Sequence, residues 1–181
     1  MTDNLINVLE EYLSVNAGEP VQVYNSKSIG GGCINHASKL ETSIGSLFVK
    51  WNDNCKPDMF LREAESLTEL KRASDGILII PKVICAKTVD ETPGFLIQEY
   101  LNPGYSNNDD EKLGRGLATI HRYSNDHFGF YKNNYCGATE QNNNWGDDWV
   151  TFFIENRLGF LLHLIQNVRP LPSSEIKIYD K

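Results

Sequence analysis

The most informative stretch is Gly30-Gly31-Gly32-Cys33-Ile34-Asn35, which lies between two segments with the alternating pattern of β-strands. Glycines at a hairpin tip let backbone N–H groups approach phosphate oxygens, because no Cβ stands in the way. Lys50 follows at the end of the next strand and can bring a positive charge to the same phosphates. A simpler alternative is a flexible tip, since short glycine motifs often match by chance. The hairpin and Lys50 together favour a nucleotide-phosphate site of the kinase type.

Composition and charge restrict the class of protein. The 181 residues suffice for one domain, or for one lobe and part of a second. The formal net charge of −7 and the lack of basic runs argue against nucleic-acid binding. No apolar run reaches membrane-spanning length, and the first twenty residues lack the basic segment of a signal peptide. The four cysteines show neither C-x-x-C spacing nor the density of a disulfide framework, which predicts free thiols in the cytoplasm.

The apolar pattern predicts an α+β fold. A short amphipathic helix opens the chain, and a longer helix begins near Pro57 and runs through Arg72. A five-stranded antiparallel sheet accompanies it, with strands over residues 21–24, 36–42, 47–51, 77–85 (broken at Pro81) and 94–101. From Asp109 onward helical spacing prevails, apart from a polar loop over 133–144.

Lys50 and Glu63 are the candidate catalytic residues. Strand alternation puts Lys50 on the same face as Phe48, so its ammonium group is expected to be half-buried and paired with a carboxylate. Glu63 lies three residues after Phe60 and four before Leu67, on the core-facing edge of the predicted helix. The ion pair would orient Lys50 toward nucleotide phosphates. The alternative, an ordinary surface glutamate, remains open.

Other polar residues have two interpretations each. The strand end Glu99-Tyr100-Leu101 either contributes backbone groups to an adenine-binding hinge or is simply a strand end. Asp147 and Asp148, beside large aromatics, either bind a polyhydroxylated or cationic substrate or begin a helix. We expect Arg157 to pair with a carboxylate across a helix interface. His121, on an apolar face, is expected to be a hydrogen-bonded core residue.

These motifs, taken in order, closely resemble the fructosamine kinase (ketosamine kinase) family. Each motif is weak alone, and the combination is specific. The resemblance extends to about Leu162 and rests on the following segments: Gly31-Gly32-Cys33-Ile34-Asn35, Phe48-Val49-Lys50, Arg62-Glu63-Ala64-Glu65-Ser66-Leu67, Ile80-Pro81-Lys82-Val83, Leu96-Ile97-Gln98-Glu99-Tyr100-Leu101, Leu113-Gly114 with Leu117-Ala118 and His121, Phe128-Gly129-Phe130, Trp145 with Trp149 and Phe152-Phe153, and Arg157-Leu158.

The resemblance implies a protein-kinase-like, aminoglycoside-phosphotransferase-like fold that binds ATP with Mg²⁺. Such enzymes phosphorylate a sugar hydroxyl of ketosamines, the adducts formed when reducing sugars glycate protein amines, and so support protein deglycation. By position, the resemblance assigns the phosphate-binding lysine to Lys50, its helix partner to Glu63, the nucleotide loop to Gly31, Gly32, Cys33 and Asn35, and the hinge to Glu99, Tyr100 and Leu101. We include Gly30, the first glycine of the run, in the cofactor-binding set.

One departure from the family bears on activity. The His-Gly-Asp-Leu-Trp-x-Gly-Asn catalytic loop has no counterpart in the 181 residues, and neither does the later metal-binding aspartate. We therefore expect no metal ligands and negligible kinase activity from this truncated chain. One alternative is a non-enzymatic, pseudokinase-like module that binds a nucleotide or a partner. Another is a related kinase for aminoglycosides or choline, against which the glycine loop and the tryptophan-rich segment argue.

The resemblance divides the chain into an N-terminal nucleotide-binding lobe (1–101), the first helices of an incomplete helical C-lobe (102–169) and a tail (170–181). Loss of the remaining C-lobe would leave the apolar stripe from Trp149 to Val168 partly uncovered, which predicts self-association, a partner or poor stability. Cys33, at the tip of the loop, is either a redox-sensitive thiol or an unreactive small residue.

Overall fold

The computed structural model describes residues 1–30, 32, 34–102, 104 and 109–172. It divides into two compact units, Met1–Ser124 and Asn125–Lys181. The described elements of the first unit are α1 (Asp3–Ala17), β1 (Val23–Ser28), β2 (His36–Thr42), β3 (Gly45–Asn52), α2 (Met59–Ala73), β4 (Val83–Lys87), β5 (Gly94–Glu99) and α3 (Asp109–Ile120). Those of the second are β6 (Asn134–Cys136), β7 (Thr139–Gln141), α4 (Trp149–Phe153), a π-helical segment (Ile154–Gly159) and α5 (Phe160–Val168).

The sheet of the first unit has the order β1-β2-β3-β5-β4, and neighbouring strands run antiparallel. The predicted α+β class with a five-stranded antiparallel sheet is therefore confirmed. The register places Ala37 opposite Lys50 and Lys50 opposite Leu96. Because side chains alternate along each strand, these three residues share one face of the sheet.

The opposite face of the sheet packs against α1. The helix begins at the capping residue Thr2, whose hydroxyl accepts a hydrogen bond from the Leu5 N–H, and it ends at Gly18, whose φ of +75° suits glycine. Its leucines recur every four residues and are at most 2 % exposed. The resulting core contains Leu5, Leu9, Leu13, Val21, Leu40, Leu47, Val49, Phe95 and Ile97.

Several sequence-based element bounds were wrong, and three differences are the most informative. The first strand begins at Val23 rather than 21, because Val21 is buried against α1 and its N–H donates to Ser14 Oγ at 2.8 Å. Residues 77–80 form no strand, and β4 begins only at Val83, after Pro81. The loop expected over 133–144 contains the β6–β7 hairpin, which turns at Gly137 with a φ of +63°.

Helix α3, within the first unit, packs against Leu78 at a position where a side chain larger than that of glycine would overlap. A Cβ added at Gly116 would overlap the side chain of Leu78, whereas nothing lies within 4 Å of one added at Gly114. Beyond the helix, the Tyr123 hydroxyl donates to Glu69 Oε1 on α2 at 2.7 Å. Arg72 donates to the second oxygen of the same carboxylate, also at 2.7 Å. These contacts attach the C-terminal half of α2 to the segment that follows α3.

In the second unit, the helical segments leave much apolar surface exposed. Phe152 is 5 % exposed, but no residue of α5 is buried. Trp149, Leu161 and Val168 are 51 %, 46 % and 89 % exposed. Among the described residues, no helix combines the length and apolarity needed to cross a bilayer.

Candidate functional site

A cleft opens on the sheet face that α1 does not cover. Its volume is about 420 Å³. The lining residues come from the glycine run and from the facing strands β2 and β3: Ile29, Gly30, Gly32, Ile34, Asn35, Ala37, Phe48 and Lys50. The structure therefore brings together the described members of the predicted nucleotide loop and the predicted lysine. Gly31 and Cys33 lie outside the described residues, and so does the redox prediction for Cys33.

Lys50 and Glu63 form the ion pair that the strand and helix patterns predicted. Lys50 Nζ lies 2.5 Å from Glu63 Oε1 on α2, and the two side chains are 31 % and 29 % exposed. The neighbouring Glu65 instead accepts from Arg62 Nη1 at 2.6 Å, as expected from its position around the helix. A half-buried carboxylate thus holds the ammonium group at the edge of the cleft. The catalytic role of the pair stays a prediction.

The glycine run is tightly folded at its C-terminal end. A Cβ added at Gly32 would lie 2.9 Å from the backbone oxygen of Asn35, closer than Cβ atoms approach other atoms in proteins. Asn52, at the end of β3, donates to the Ile34 carbonyl at 2.9 Å and to Asn35 Oδ1 at 3.0 Å. Sequence reasoning missed Asn52. The available signal was a polar residue two positions beyond Lys50, where alternation returns it to the same face.

The predicted hinge follows the last strand of the sheet. The Glu99 N–H donates to the Lys82 carbonyl at 2.9 Å, so this end of β5 is held in place. The Tyr100 ring lies 4.7 Å from Lys39 Nζ, a cation–π contact. The hydrogen bond from Lys39 to Glu41 raises the pKa of that lysine. Leu101 is 42 % exposed. Binding of adenine at the hinge stays a prediction.

One polar atom on the cleft face of the sheet is unsatisfied. Gln98 lies opposite Phe48 in the register of β3 and β5, so it shares the face of Lys50. Its Oε1 is buried and has no hydrogen-bond partner among the described residues. A buried acceptor without a partner costs about 1–3 kcal/mol.

The structure contradicts two expectations, one for Arg157 in the second unit and one for His121 at the end of α3. Among the described residues Arg157 pairs with no carboxylate, because its guanidinium donates to the Asn142 carbonyl and to Asn143 Oδ1, each at 2.6 Å. Its burial among these neutral oxygens lowers the pKa of the Arg157 side chain. His121 is exposed at the end of α3 and is not a core residue. An asparagine amide, which sequence patterns did not single out, thus replaces the expected carboxylate.

The adjacent carboxylates Asp147 and Asp148 have separate partners. Asp148 Oδ1 accepts from the Thr151 N–H at 2.8 Å, which caps α4 and lowers the pKa of Asp148. Asp147 Oδ1 lies 2.6 Å from His127 Nδ1. Both aspartates line a cavity of about 450 Å³ together with Trp145. Asp148 is therefore a helix cap, while substrate binding at this cavity stays a prediction.

The described residues do not supply a metal centre. No three His, Cys, Asp or Glu side chains among them lie close enough together to hold an ion. The carboxylates near the cleft fit Mg²⁺ poorly, because Glu63 is engaged with Lys50. We therefore assign no Mg²⁺ ligands within the part of the chain that the structure describes. The cysteines that the structure describes, Cys55, Cys85 and Cys136, are free, and burial raises the pKa of Cys85 to about 11.

Comparisons with known proteins agree with the resemblance drawn from the motifs. A family model described as "Fructosamine kinase" matches residues 5–176. The protein-ribulosamine 3-kinase, chloroplastic, of Oryza sativa subsp. indica is 36 % identical over 166 residues, which are 91 % of this chain and 47 % of that protein. A probable ketoamine kinase of Synechocystis is 33 % identical over 158 residues, 86 % of this chain and 52 % of the relative. The chain thus spans about half the length of these curated relatives.

Solved structures share the fold. The crystal structure of a putative fructosamine-3-kinase from Haemophilus somnus 129PT aligns with a TM-score of 0.77 at 23 % identity, covering 89 % of this chain and 54 % of that one. A second putative fructosamine-3-kinase, from Thermobifida fusca YX-ER1, aligns with a TM-score of 0.74 at 22 % identity, covering 97 % and 61 %. These structures show the fold, while the family model over residues 5–176 and the relatives at 36 % and 33 % identity show that the chain belongs to the fructosamine kinase family.

Proposed function

We propose that this chain is the nucleotide-binding part of a ketosamine kinase and holds ATP between the glycine run and Lys50. The observation that carries the proposal is the Lys50–Glu63 ion pair at the edge of the cleft that Gly30, Gly32 and Asn35 line. An ammonium group in this position can contact the α- and β-phosphates of ATP, as in kinases. Glu63 keeps it oriented before the nucleotide arrives.

The remaining predicted residues have complementary roles in this proposal. Backbone N–H groups of Gly30, Gly31, Gly32 and Cys33, with Asn35, bind phosphate oxygens. Backbone groups of Glu99, Tyr100 and Leu101 bind the adenine edge. Mg²⁺, when bound, would neutralise the phosphate charge. Residues 1–101 would then be the nucleotide-binding lobe, 102–169 part of a helical lobe, and 170–181 a tail.

The substrate class follows from the names of the relatives. The rice relative is named a protein-ribulosamine 3-kinase, and the cyanobacterial one a probable ketoamine kinase. We therefore propose that the complete enzyme phosphorylates sugar adducts on protein amines, in the cytoplasm, as a step of protein deglycation. We further propose that these 181 residues alone do not catalyse phosphorylation of the substrate, because the His-Gly-Asp loop and its metal ligands are absent from them.

The test compares nucleotide binding with turnover. We expect ATP to bind the purified chain, and Lys50→Met to lower the affinity about tenfold or more, since it removes a charged contact to phosphate. Lys71→Met is the matched control, because Lys71 is an exposed lysine in the last turn of α2. Equal affinities of the wild type and Lys50→Met, measured by calorimetry, would contradict the proposal.

A second candidate function is a non-enzymatic module that binds a nucleotide or a partner. For the isolated chain, this function and the proposed one both predict ATP binding without phosphorylation of a glycated lysine peptide. Phosphorylation of that peptide would contradict both the non-enzymatic function and the proposal that these 181 residues alone are inactive. The measurement is an ATP-consumption assay with the unglycated peptide as its control.

We also propose that the chain associates with itself through α5. The supporting observation is that no residue of this strongly apolar helix is buried. Its exposed apolar residues include Leu161 and Ile165. The double variant Leu161→Glu with Ile165→Glu is expected to shift light-scattering mass to that of a monomer. A wild-type chain that is monomeric at all concentrations would overturn this proposal.

A further inference from the structure

The side chain of Asn52 connects the C-terminal end of the glycine run to the segment that follows β3. It is 8 % exposed at the end of β3. Its Nδ2 donates to the Ile34 carbonyl at 2.9 Å and to Asn35 Oδ1 at 3.0 Å. Its Oδ1 accepts from the backbone N–H of Asn54 at 2.7 Å. A buried side chain thus joins the strand that carries Lys50 to the loop across the cleft.

The orientation of both amides follows from backbone groups that cannot exchange roles. A backbone N–H only donates, so the Asn54 N–H requires the oxygen of Asn52 on its side. A backbone carbonyl only accepts, so Ile34 requires the Asn52 amino group on the other side. That amino group also faces Asn35, whose side chain must then present its oxygen. The Asn35 amino group is consequently directed away from Asn52.

We propose that Asn52 is a positioning residue that turns the amino group of Asn35 toward the phosphates of the bound nucleotide. Asn35 lines the same cleft as Lys50, and its amino group lies on the side away from Asn52 because its oxygen accepts from Asn52. The backbone oxygen of Asn35 also lies close to Gly32, 2.9 Å from where a Cβ would be. A donor held in advance adds to affinity, since no side-chain freedom is lost on binding. This inference rests on the proposed nucleotide-binding function.

Substitutions at Asn52 separate positioning from a purely structural role. Asn52→Ala is expected to weaken ATP binding about tenfold, because a hydrogen bond to a charged phosphate is lost. Adenosine lacks phosphate, so its affinity should change less than about twofold. Asn52→Asp should weaken ATP binding further, since its oxygen would draw the Asn35 amino group toward itself and away from phosphate. Asn54→Ala is the control, because it keeps the backbone N–H and removes an exposed side chain.

A double-mutant cycle tests whether Asn52 acts through Asn35. If it does, Asn35→Ala alone should weaken ATP binding about as much as Asn52→Ala, and the double variant should lose no more than either. Additive losses would contradict the inference. Should Asn52→Ala fail to fold, Asn35→Ala still decides, since unchanged ATP affinity in that variant overturns the inference.

The outcomes distinguish this inference from the proposed function. If the wild type binds no ATP, the proposed function fails and the inference fails with it. If the wild type binds ATP and Asn52→Ala binds it equally well, only the inference fails. Equal losses for ATP and adenosine, together with a lower melting temperature, would show a structural role alone and would overturn the inference.

Discussion

The two units differ in how completely they bury their apolar residues. In the first, Leu9 and Leu13 on α1 are 0 % exposed against the sheet. In the second, α5 has no buried residue and Leu161 is 46 % exposed. The first unit therefore has a closed core of its own, on which the cleft and its ion pair are built. The second has helices whose apolar faces need further contacts.

The largest expected difference between the two units is in the free energy of unfolding after a leucine is shortened to alanine. Leu9→Ala is expected to lower the free energy of unfolding by about 3 kcal/mol, because it leaves a cavity in a packed core. Leu161→Ala should change it by less than about 1 kcal/mol, since that side chain is exposed. Urea denaturation of both variants measures the difference. Equal losses would mean that α5 is as well packed as α1.

Two glycines in α3 provide a more local test of packing in the first unit. Gly116→Ala should destabilise the fold by about 1–3 kcal/mol, because its Cβ would overlap Leu78. Gly114→Ala, in the same helix, meets nothing within 4 Å. It should stabilise the helix by about 0.5–1 kcal/mol, since alanine restricts the unfolded chain. Thermal melts of the pair would contradict this prediction if both shifted in the same direction.

Among the described residues, Gln98 Oε1 is the one buried side-chain polar atom without a hydrogen-bond partner. Gln98→Met has a similar volume and removes the unsatisfied acceptor, so we expect a gain of about 1 kcal/mol in the free energy of unfolding without nucleotide. Gln22→Met, at an exposed position, is the control and should change little. A loss of stability in Gln98→Met would show that the buried oxygen has a partner in solution.

The smallest expected effect is on the melting temperature at low pH. Hydrogen bonds from Lys87 and from Thr92 lower the pKa of Asp90 to about 2. A lowered pKa in the folded state means that this stabilisation is complete above the ordinary value near 3.8 and is lost as pH falls toward 2. Melting temperatures measured from pH 5 to pH 2 should therefore fall less in Asp90→Asn than in the wild type. Glu91→Gln, at the adjacent exposed position, is the control.

Regular patterns made the fold and the central ion pair predictable. Alternation placed Lys50 beside Phe48, helical spacing placed Glu63, and a leucine every fourth position predicted the buried face of α1. These signals work because they depend on backbone periodicity alone. The predicted class, strand number and ion pair are confirmed, while the roles of the site residues stay predictions.

The parts that escaped prediction depend on single contacts. The Val21 N–H donates to the Ser14 hydroxyl, so β1 begins after Val21 rather than at it. A hydrogen bond between residues seven positions apart leaves no periodic signal in the sequence. The strands of the β6–β7 hairpin have only three residues each, too few to show alternation. Asn52 and Arg157 bind uncharged oxygens in loops, where neither charge pairing nor spacing indicates the partner.

The hydrogen bond from Tyr123 to Glu69 joins residues 54 positions apart in sequence. It ties the far end of the helix that carries Glu63 to the segment after α3 and so restrains outward movement of that helix. If the cleft binds a nucleotide as proposed, the nucleotide would meet a lysine that is already aligned by its carboxylate.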